Sequence, residues 1–192
     1  HQVFSCRFYQ NYYSFDFPPK MKYYICKCMI KVGLFMRIVV ISDSHGCGSV
    51  VDRIIRREKD AESVIFLGDV TSDIEDFTYE YTDKKFYIVS GNCDRFSQYP
   101  YSMVVNISGV NIFITHGHTL GVKGGIGPLM LAARQSDCKI ALYGHTHVSN
   151  IKYEDGLYVV NPGSCARSRD VGNSYAVIDI RENGILPSIV RI

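Results

Sequence analysis

Five short apolar runs, at 37–42, 64–67, 86–90, 111–115 and 140–143, punctuate the chain, and each is followed at once by a small polar cluster. Runs of this kind, rich in Val, Ile, Phe and Tyr and closed by Gly, Asp or His, read as short buried strands. After the first of them, Val50, Val51, Ile54 and Ile55 recur at helical spacing, with Arg53, Arg56, Arg57 and Lys59 on the other side. That periodicity predicts a helix, and a helix between two strands predicts a parallel βαβ unit. A second helix is predicted over 128–136, where Gly127 and Pro128 suit a helix start and Leu129, Met130, Ala132 and Ala133 form an apolar face. Three hairpins are predicted from turn residues between alternating runs: 103–107 with 111–115 about Ser108-Gly109, 150–153 with 157–160 about Asp155-Gly156, and 175–180 with 185–190 about Asn183-Gly184. Parallel and antiparallel pairs in one chain give mixed sheets. The expected fold is therefore α/β, a four-layer sandwich of two mixed β-sheets flanked by helices.

Residues 1–35 break this pattern. Phe4, Phe8, Tyr9, Tyr12, Tyr13, Phe15, Phe17, Tyr23, Tyr24 and Phe35 crowd the segment with no period of 2 or 3.6. The expected division is an extension at 1–35 outside the fold and a domain at 36–192. Met36 is the expected natural start, with the preceding residues read as upstream translated sequence or a loose tail. A signal peptide from Met21 is the competing reading, but Lys27 and Lys31 interrupt its apolar stretch and no small-residue cleavage site follows.

The polar clusters carry the chemistry. In order they are Asp43 with His45, Gly68-Asp69, Gly91-Asn92-Cys93-Asp94, His116 with His118, and Gly144-His145 with His147. Of the chain's six histidines, only His1 lies outside them. Taken singly, each has an ordinary explanation: a strand-end Asp caps the next helix, Gly-Asn makes a turn, and paired histidines at strand spacing share one solvated face. Taken as a series they do not. Strand ends converge on the crevice where open α/β sheets bind ligands, and oxygen and imidazole donors together suit divalent cations.

The ordered series resembles the calcineurin-like metallophosphoesterase superfamily, and within it the small YfcE-like phosphodiesterase group. The run Met-Arg-Ile-Val-Val-Ile-Ser-Asp-Ser-His-Gly at 36–46 and Val-Asn-Pro-Gly-Ser at 160–164 are also typical of that group. The resemblance spans 36–192 and implies the four-layer fold, two divalent metal ions and hydrolysis of a small phosphodiester by metal-activated hydroxide. It implies that Asp43, His45 and His147 serve one ion, that Asn92, His116 and His145 serve the other, and that Asp69 bridges them. The catalytic set implied is Asp69, Asn92 and His116. His118 is expected to support a ligand or touch substrate, and Asp94 to accept a hydrogen bond from a ligating histidine. Manganese heads the expected metals, with iron, nickel and zinc acceptable to the same donors.

A phosphodiester is anionic and repels nucleophiles, so its hydrolysis needs both charge neutralisation and a hydroxide. Two cations about 3.5–4 Å apart supply both, and holding them that close needs an anionic bridge. With Asn92 contributing a neutral oxygen, the ligand set carries a formal charge of only minus two. Larger relatives place a histidine directly after the ligating Asn; here Cys93 stands there. That departure disfavours a phosphomonoesterase of the larger branches. A protein-binding scaffold on the same fold, as the superfamily's retromer subunit is, predicts eroded ligands, which this chain does not have.

Composition narrows the partners. The chain of 192 residues has a formal net charge of +2, but residues 1–35 hold five Lys/Arg and one Asp, which leaves the remainder near minus two. Nothing in that balance calls for nucleic acid. No apolar run reaches the roughly 18 residues of a membrane span. Seven scattered cysteines fit free thiols and a cytoplasmic protein, and Cys26 with Cys28 is too isolated for a zinc site. The expected partner is thus a small phosphodiester, with a homodimer allowed for and no membrane.

Overall fold

The computed structural model describes residues 35–192. The reading of 1–35 as an extension therefore lies, but for Phe35, outside the described residues. Ten strands form two five-stranded sheets. In chain order the elements are β1 (Met36–Ile41), α1 (Gly48–Arg57), β2 (Ser63–Phe66), α2 (Ser72–Glu75), α3 (Phe77–Glu80), β3 (Lys85–Ile88), β4 (Ser102–Ile107), β5 (Val110–Thr115), α4 (Gly127–Gln135), β6 (Ile140–Leu142), β7 (Asn150–Glu154), β8 (Leu157–Asn161), β9 (Ser174–Arg181) and β10 (Gly184–Arg191). A 3₁₀ turn, His118–Leu120, comes after β5.

The first sheet runs β10-β9-β1-β2-β3 and the second β4-β5-β6-β8-β7. Strands β1, β2 and β3 are parallel, as are β5, β6 and β8, while hairpin partners sit at the edges. The predicted βαβ unit, both helices and all three hairpins are present.

Central strands read as unbroken apolar runs because both of their faces are covered. Along β1, Ile38 and Val40 point between the sheets to meet Ile112, Ile114, Ile140 and Leu142 of the second sheet. Val39 and Ile41, one residue out of phase, pack instead against Val51, Ile54 and Ile55 of α1. On the far side, Leu129, Met130 and Ala133 of α4 cover Phe113, Ala141 and Val159. Each fully buried Ile or Leu contributes about 1.5–3 kcal/mol over its exposed state, so truncating a central one such as Ile140 loosens both sheets. Four layers result, helix on sheet on sheet on helix, as expected. The parallel strands β1, β2, β3, β5 and β6 end on one edge of this sandwich, and that edge carries every polar cluster.

Candidate metal centre

Tight backbone turns bring the donors together. Asp43, Asp69, His145 and His147 lie in the turns that follow β1, β2 and β6, and each takes a left-handed backbone, with φ of 56°, 62°, 68° and 61°. His45 does the same at 47° and Val70 at 78°. Such φ values are uncommon without glycine and for a β-branched residue are true outliers, costing about 1–3 kcal/mol each unless the surroundings hold them. Here hydrogen bonds hold them. The strand ends also approach closely. A Cβ on Gly91 would fall on the Asp69 carboxylate, and one on Gly144 would fall on the Ser42 hydroxyl. Glycine at those two positions is a condition for the ligands to meet.

Asp43 is fully buried. Its Oδ2 accepts from the Ser42 hydroxyl at 2.6 Å and from the His145 backbone N–H at 3.1 Å. Its Oδ1 is buried without any hydrogen bond, and it faces His147 Nε2 at 3.2 Å. Burial works to raise the Asp43 carboxyl, but the nearby His147 and His116 and the Ser42 hydroxyl hold it below its usual range. It is ionised at neutral pH.

Two of the histidines are oriented by carbonyls. The N–H at His116 Nδ1 donates to the Leu67 carbonyl at 2.7 Å, and that at His147 Nδ1 to the Arg167 carbonyl at 2.7 Å. Both rings are thereby left with an Nε2 lone pair turned into the centre, the support a metal-binding imidazole usually has. His147 Nε2 then faces His45 Nε2 at 3.1 Å, and His116 Nε2 faces Asn92 Oδ1 and His145 Nδ1, each at 3.2 Å. The Asn92 oxygen thus faces an acceptor nitrogen of His116, a pair that repels unless a positive charge lies between them. Burial lowers the His45 imidazole, and burial with His116 and Lys123 lowers His145 to about 4, so both rings are neutral near pH 7. The facing Asp43 carboxylate raises His147, which is the same pull that a cation would feel.

Asp69 stands between the two groups. Its Oδ2 lies 3.7 Å from His45 Nε2, and its Oδ1 lies 3.5 Å from His116 Nε2. One atom each from Asp43, His45, Asp69 and His147 falls within 4.8 Å of the others, a group able to hold an ion. On the other side His116 faces the second Asp69 oxygen, and Asn92 and His145 meet the same His116 nitrogen. The donor chemistry of Asp43, His45, Asp69 and His147 fits a divalent cation.

His145 and His147 do not share a strand face. They lie in a turn after β6, and the His145 ring faces His116 while the His147 ring faces His45. Asp94 also departs from expectation, because its segment turns after Asn92 and it meets no histidine. Its Oδ2 accepts from the N–H of Asp69 at 2.9 Å and of Gly91 at 2.7 Å; its Oδ1 accepts from Val70 at 2.9 Å and Thr71 at 2.8 Å. One carboxylate thus ties the Asp69 turn to the Asn92 turn and holds Val70 in its strained backbone. His118 opens the 3₁₀ turn with its ring 5.4 Å from that of His116 and edge-on to Tyr101 at 5.3 Å. Burial and His116 lower its imidazole. Cys93 donates its backbone N–H to Asp69 Oδ1 at 3.0 Å, and burial with the Asp69 carboxylate pushes its thiol up.

Three supporting residues carry no role that the sequence pattern predicts. Buried Asn161, at the end of β8, donates to the Gly144 carbonyl at 3.1 Å and to the Thr146 hydroxyl at 3.0 Å, which fixes the His145 turn. Ser164 donates to the Asp43 carbonyl at 2.7 Å. Asp73 accepts from the Ser44 hydroxyl at 2.6 Å and the Gly46 N–H at 2.8 Å, steadying the loop that presents His45. The run at 160–164 holds the signal for the first two; Asp73 has none.

The centre opens into a cleft of about 460 Å³ lined by His45, Asn92, Cys93, His145 and His147 among others.

Residues 36–183 match the family described as calcineurin-like phosphoesterase superfamily domain. "Probable metallophosphoesterase YsnB" of Bacillus subtilis is 27% identical over 150 residues, 77% of this chain and 86% of that protein. A crystal structure of a predicted phosphoesterase from Streptococcus pneumoniae superposes with a TM-score of 0.71 at 26% identity, covering 82% of this chain and 90% of that one. Zinc-complexed Vps29 from Entamoeba histolytica shares the fold at a TM-score of 0.60 and 23% identity, over 81% and 98% of the two chains.

Proposed function

We propose that this chain, which belongs to the calcineurin-like phosphoesterase superfamily, is a dinuclear metal-dependent phosphodiesterase acting on a small substrate. The observation that carries the reading is Asp69 with one oxygen toward each group of imidazoles. Asp43, His45 and His147 would hold one cation and Asn92, His116 and His145 the other. Two divalent ions held there supply charge neutralisation for the phosphoryl group and a water acidified toward neutral pH as nucleophile.

The chain's own residues supply the rest. Leu67 and Arg167 carbonyls fix the His116 and His147 rings, so the donors need no reorganisation to act. With two carboxylates among seven ligands, the donor set stays less negative than the charge it would bind, and attraction for an anionic ester remains. Asp94, Asn161 and Ser164 keep the turns in register. Cys93 replaces the histidine that a leaving alkoxide could take a proton from, which favours esters whose leaving group departs unprotonated. Diesters fit better than monoesters, because a dianion adds charge without adding a second arm to bind. Manganese is the metal proposed, and the free thiols of Cys47, Cys93, Cys138 and Cys165 suit a reducing cytoplasm. Among the described residues, no helix is long and apolar enough to cross a membrane.

The scaffold reading gains only a likeness of fold to Vps29. Vps29 from Entamoeba histolytica is itself complexed with zinc, so metal-dependent turnover, and not metal binding, decides between the two readings.

The test is turnover of bis(p-nitrophenyl) phosphate and p-nitrophenyl phosphate after chelation and add-back of Mn, Fe, Ni or Zn. Metal-dependent turnover with the diester ahead is expected. Undiminished turnover in chelator, or a preference for the monoester, would overturn the proposal.

A further inference from the structure

We propose that Lys123, Arg167 and Arg169, which converge on the mouth of the cleft above the metal centre, form a second anion subsite. It would hold a phosphoryl group carried by the substrate beyond the scissile diester. The inference rests on the phosphodiesterase reading and names a substrate class for it: diesters with a further phosphate on the arm that stays bound.

The three cations come from two loops and line one cleft with the ligands. All three are exposed, whereas Asp43, Asp69, His116 and His147 beneath them are buried. Among residues lining the cleft the one carboxylate is Asp69, which the centre itself uses. A diester phosphorus brings a single negative charge to the floor of the cleft. Three fixed positive charges at its mouth exceed what that charge needs.

The loop carrying the two arginines is fastened to a ligand. Arg167 accepts the His147 Nδ1 proton at its carbonyl at 2.7 Å, and the Arg169 N–H donates to the His147 carbonyl at 3.0 Å. The Arg167 N–H is bound by the Ser164 hydroxyl at 2.6 Å, and that hydroxyl also reaches Asp43. Asp170, the neighbouring acid, does not quench them: its carboxylate is engaged by Ser149 at 2.6 Å and by Arg191 at 2.9 Å. Lys123 comes directly after buried Val122, whose N–H donates to the Gly117 carbonyl at 3.3 Å, so its position is registered to the His116 strand end. Among the described residues none of the three cations has an ion-pair partner.

The experiment compares two substrates in the metal-loaded protein: p-nitrophenyl ethyl phosphate, and the same diester with a phosphate at the end of the ethyl arm. Each exposed cation is expected to contribute about two- to threefold, so the extended diester should lead by about tenfold in kcat/KM at low salt, mostly through KM. In Lys123→Gln/Arg167→Gln/Arg169→Gln that ratio should fall to about one. Raising salt to about 1 M, where screening acts within about 3 Å, should lower it in the unmodified protein with no substitution at all. Calorimetry with the two corresponding non-hydrolysable phosphonates gives the same ratio as dissociation constants without turnover. Equal ratios in the unmodified and triply substituted proteins would overturn the subsite and leave hydrolase activity standing. Discrimination between the phosphonates with no turnover of either diester would sustain the subsite and overturn the phosphodiesterase.

Discussion

Replacing Asp94 with Asn changes one atom and should cost far more than a surface substitution. Each Asp94 oxygen accepts two backbone N–H groups, from Asp69 and Gly91 on one side and from Val70 and Thr71 on the other. An amide has one acceptor oxygen, so however it rotates, its NH₂ meets two N–H donors. Hydrogen bonds to a charged group contribute about 1.5–3 kcal/mol each, and a donor left without a partner costs about 1–3 kcal/mol. Asp94 is half-buried, so water relieves part of this and a total of about 2–4 kcal/mol is expected for the two lost bonds. At about 2–4 °C per kcal/mol for a chain of this size, the midpoint should fall by about 4–16 °C. Thermal unfolding should be monitored by circular dichroism in chelator, so that metal linkage does not enter the comparison. Val70 would also be free to leave its strained backbone and shift Asp69, so metal affinity should fall by about 10–100-fold. A midpoint within about 2 °C of the unmodified protein, or unchanged metal affinity, would refute the role given to this carboxylate.

Two other changes carry equally definite outcomes. Cys93→His should raise turnover of diesters with poor alkyl leaving groups by up to about 10²-fold, and of aryl diesters much less, since a raised thiol is a weaker acid than imidazolium; an equal effect across a leaving-group series would contradict this. Removing residues 1–35 should leave unfolding cooperative and metal-dependent turnover intact, and an insoluble or inactive product would show that the segment packs on the domain.

Much of the centre was legible because donors at strand ends are a local pattern with a fixed meaning: an apolar run sets the strand, and the strand's carboxyl end sets the position of the next few residues. Asp43, His45, Asp69, Asn92, His116, His145 and His147 all come to one place for that reason. Helix α1 was equally plain from its spacing. The helices α2 and α3 span four residues each, too few to show a period. Roles that depend on turn geometry were not legible. An extended segment would have aimed Asp94 at a histidine, and a turn sends its carboxylate to four amides instead. Strand spacing put His145 and His147 on one face, and their left-handed backbone puts them on opposite sides of the centre. Ties such as Asn161 to Gly144, or Ser164 to Asp43 across 121 residues, leave no local trace, because the partner is chosen by sheet order. Exposed Lys123, Arg167 and Arg169 carry no periodic signal either.

Metal content decides whether Asp69 joins two cations. Chelated protein, reloaded with Mn and freed of excess, should bind two ions per chain by elemental analysis. Asp69→Asn removes the shared anionic donor, so its bound metal should fall below one per chain together with diester turnover, by more than in His118→Ala. Two tightly bound ions retained in Asp69→Asn, or full turnover at a single ion per chain, would show that Asp69 is no such bridge.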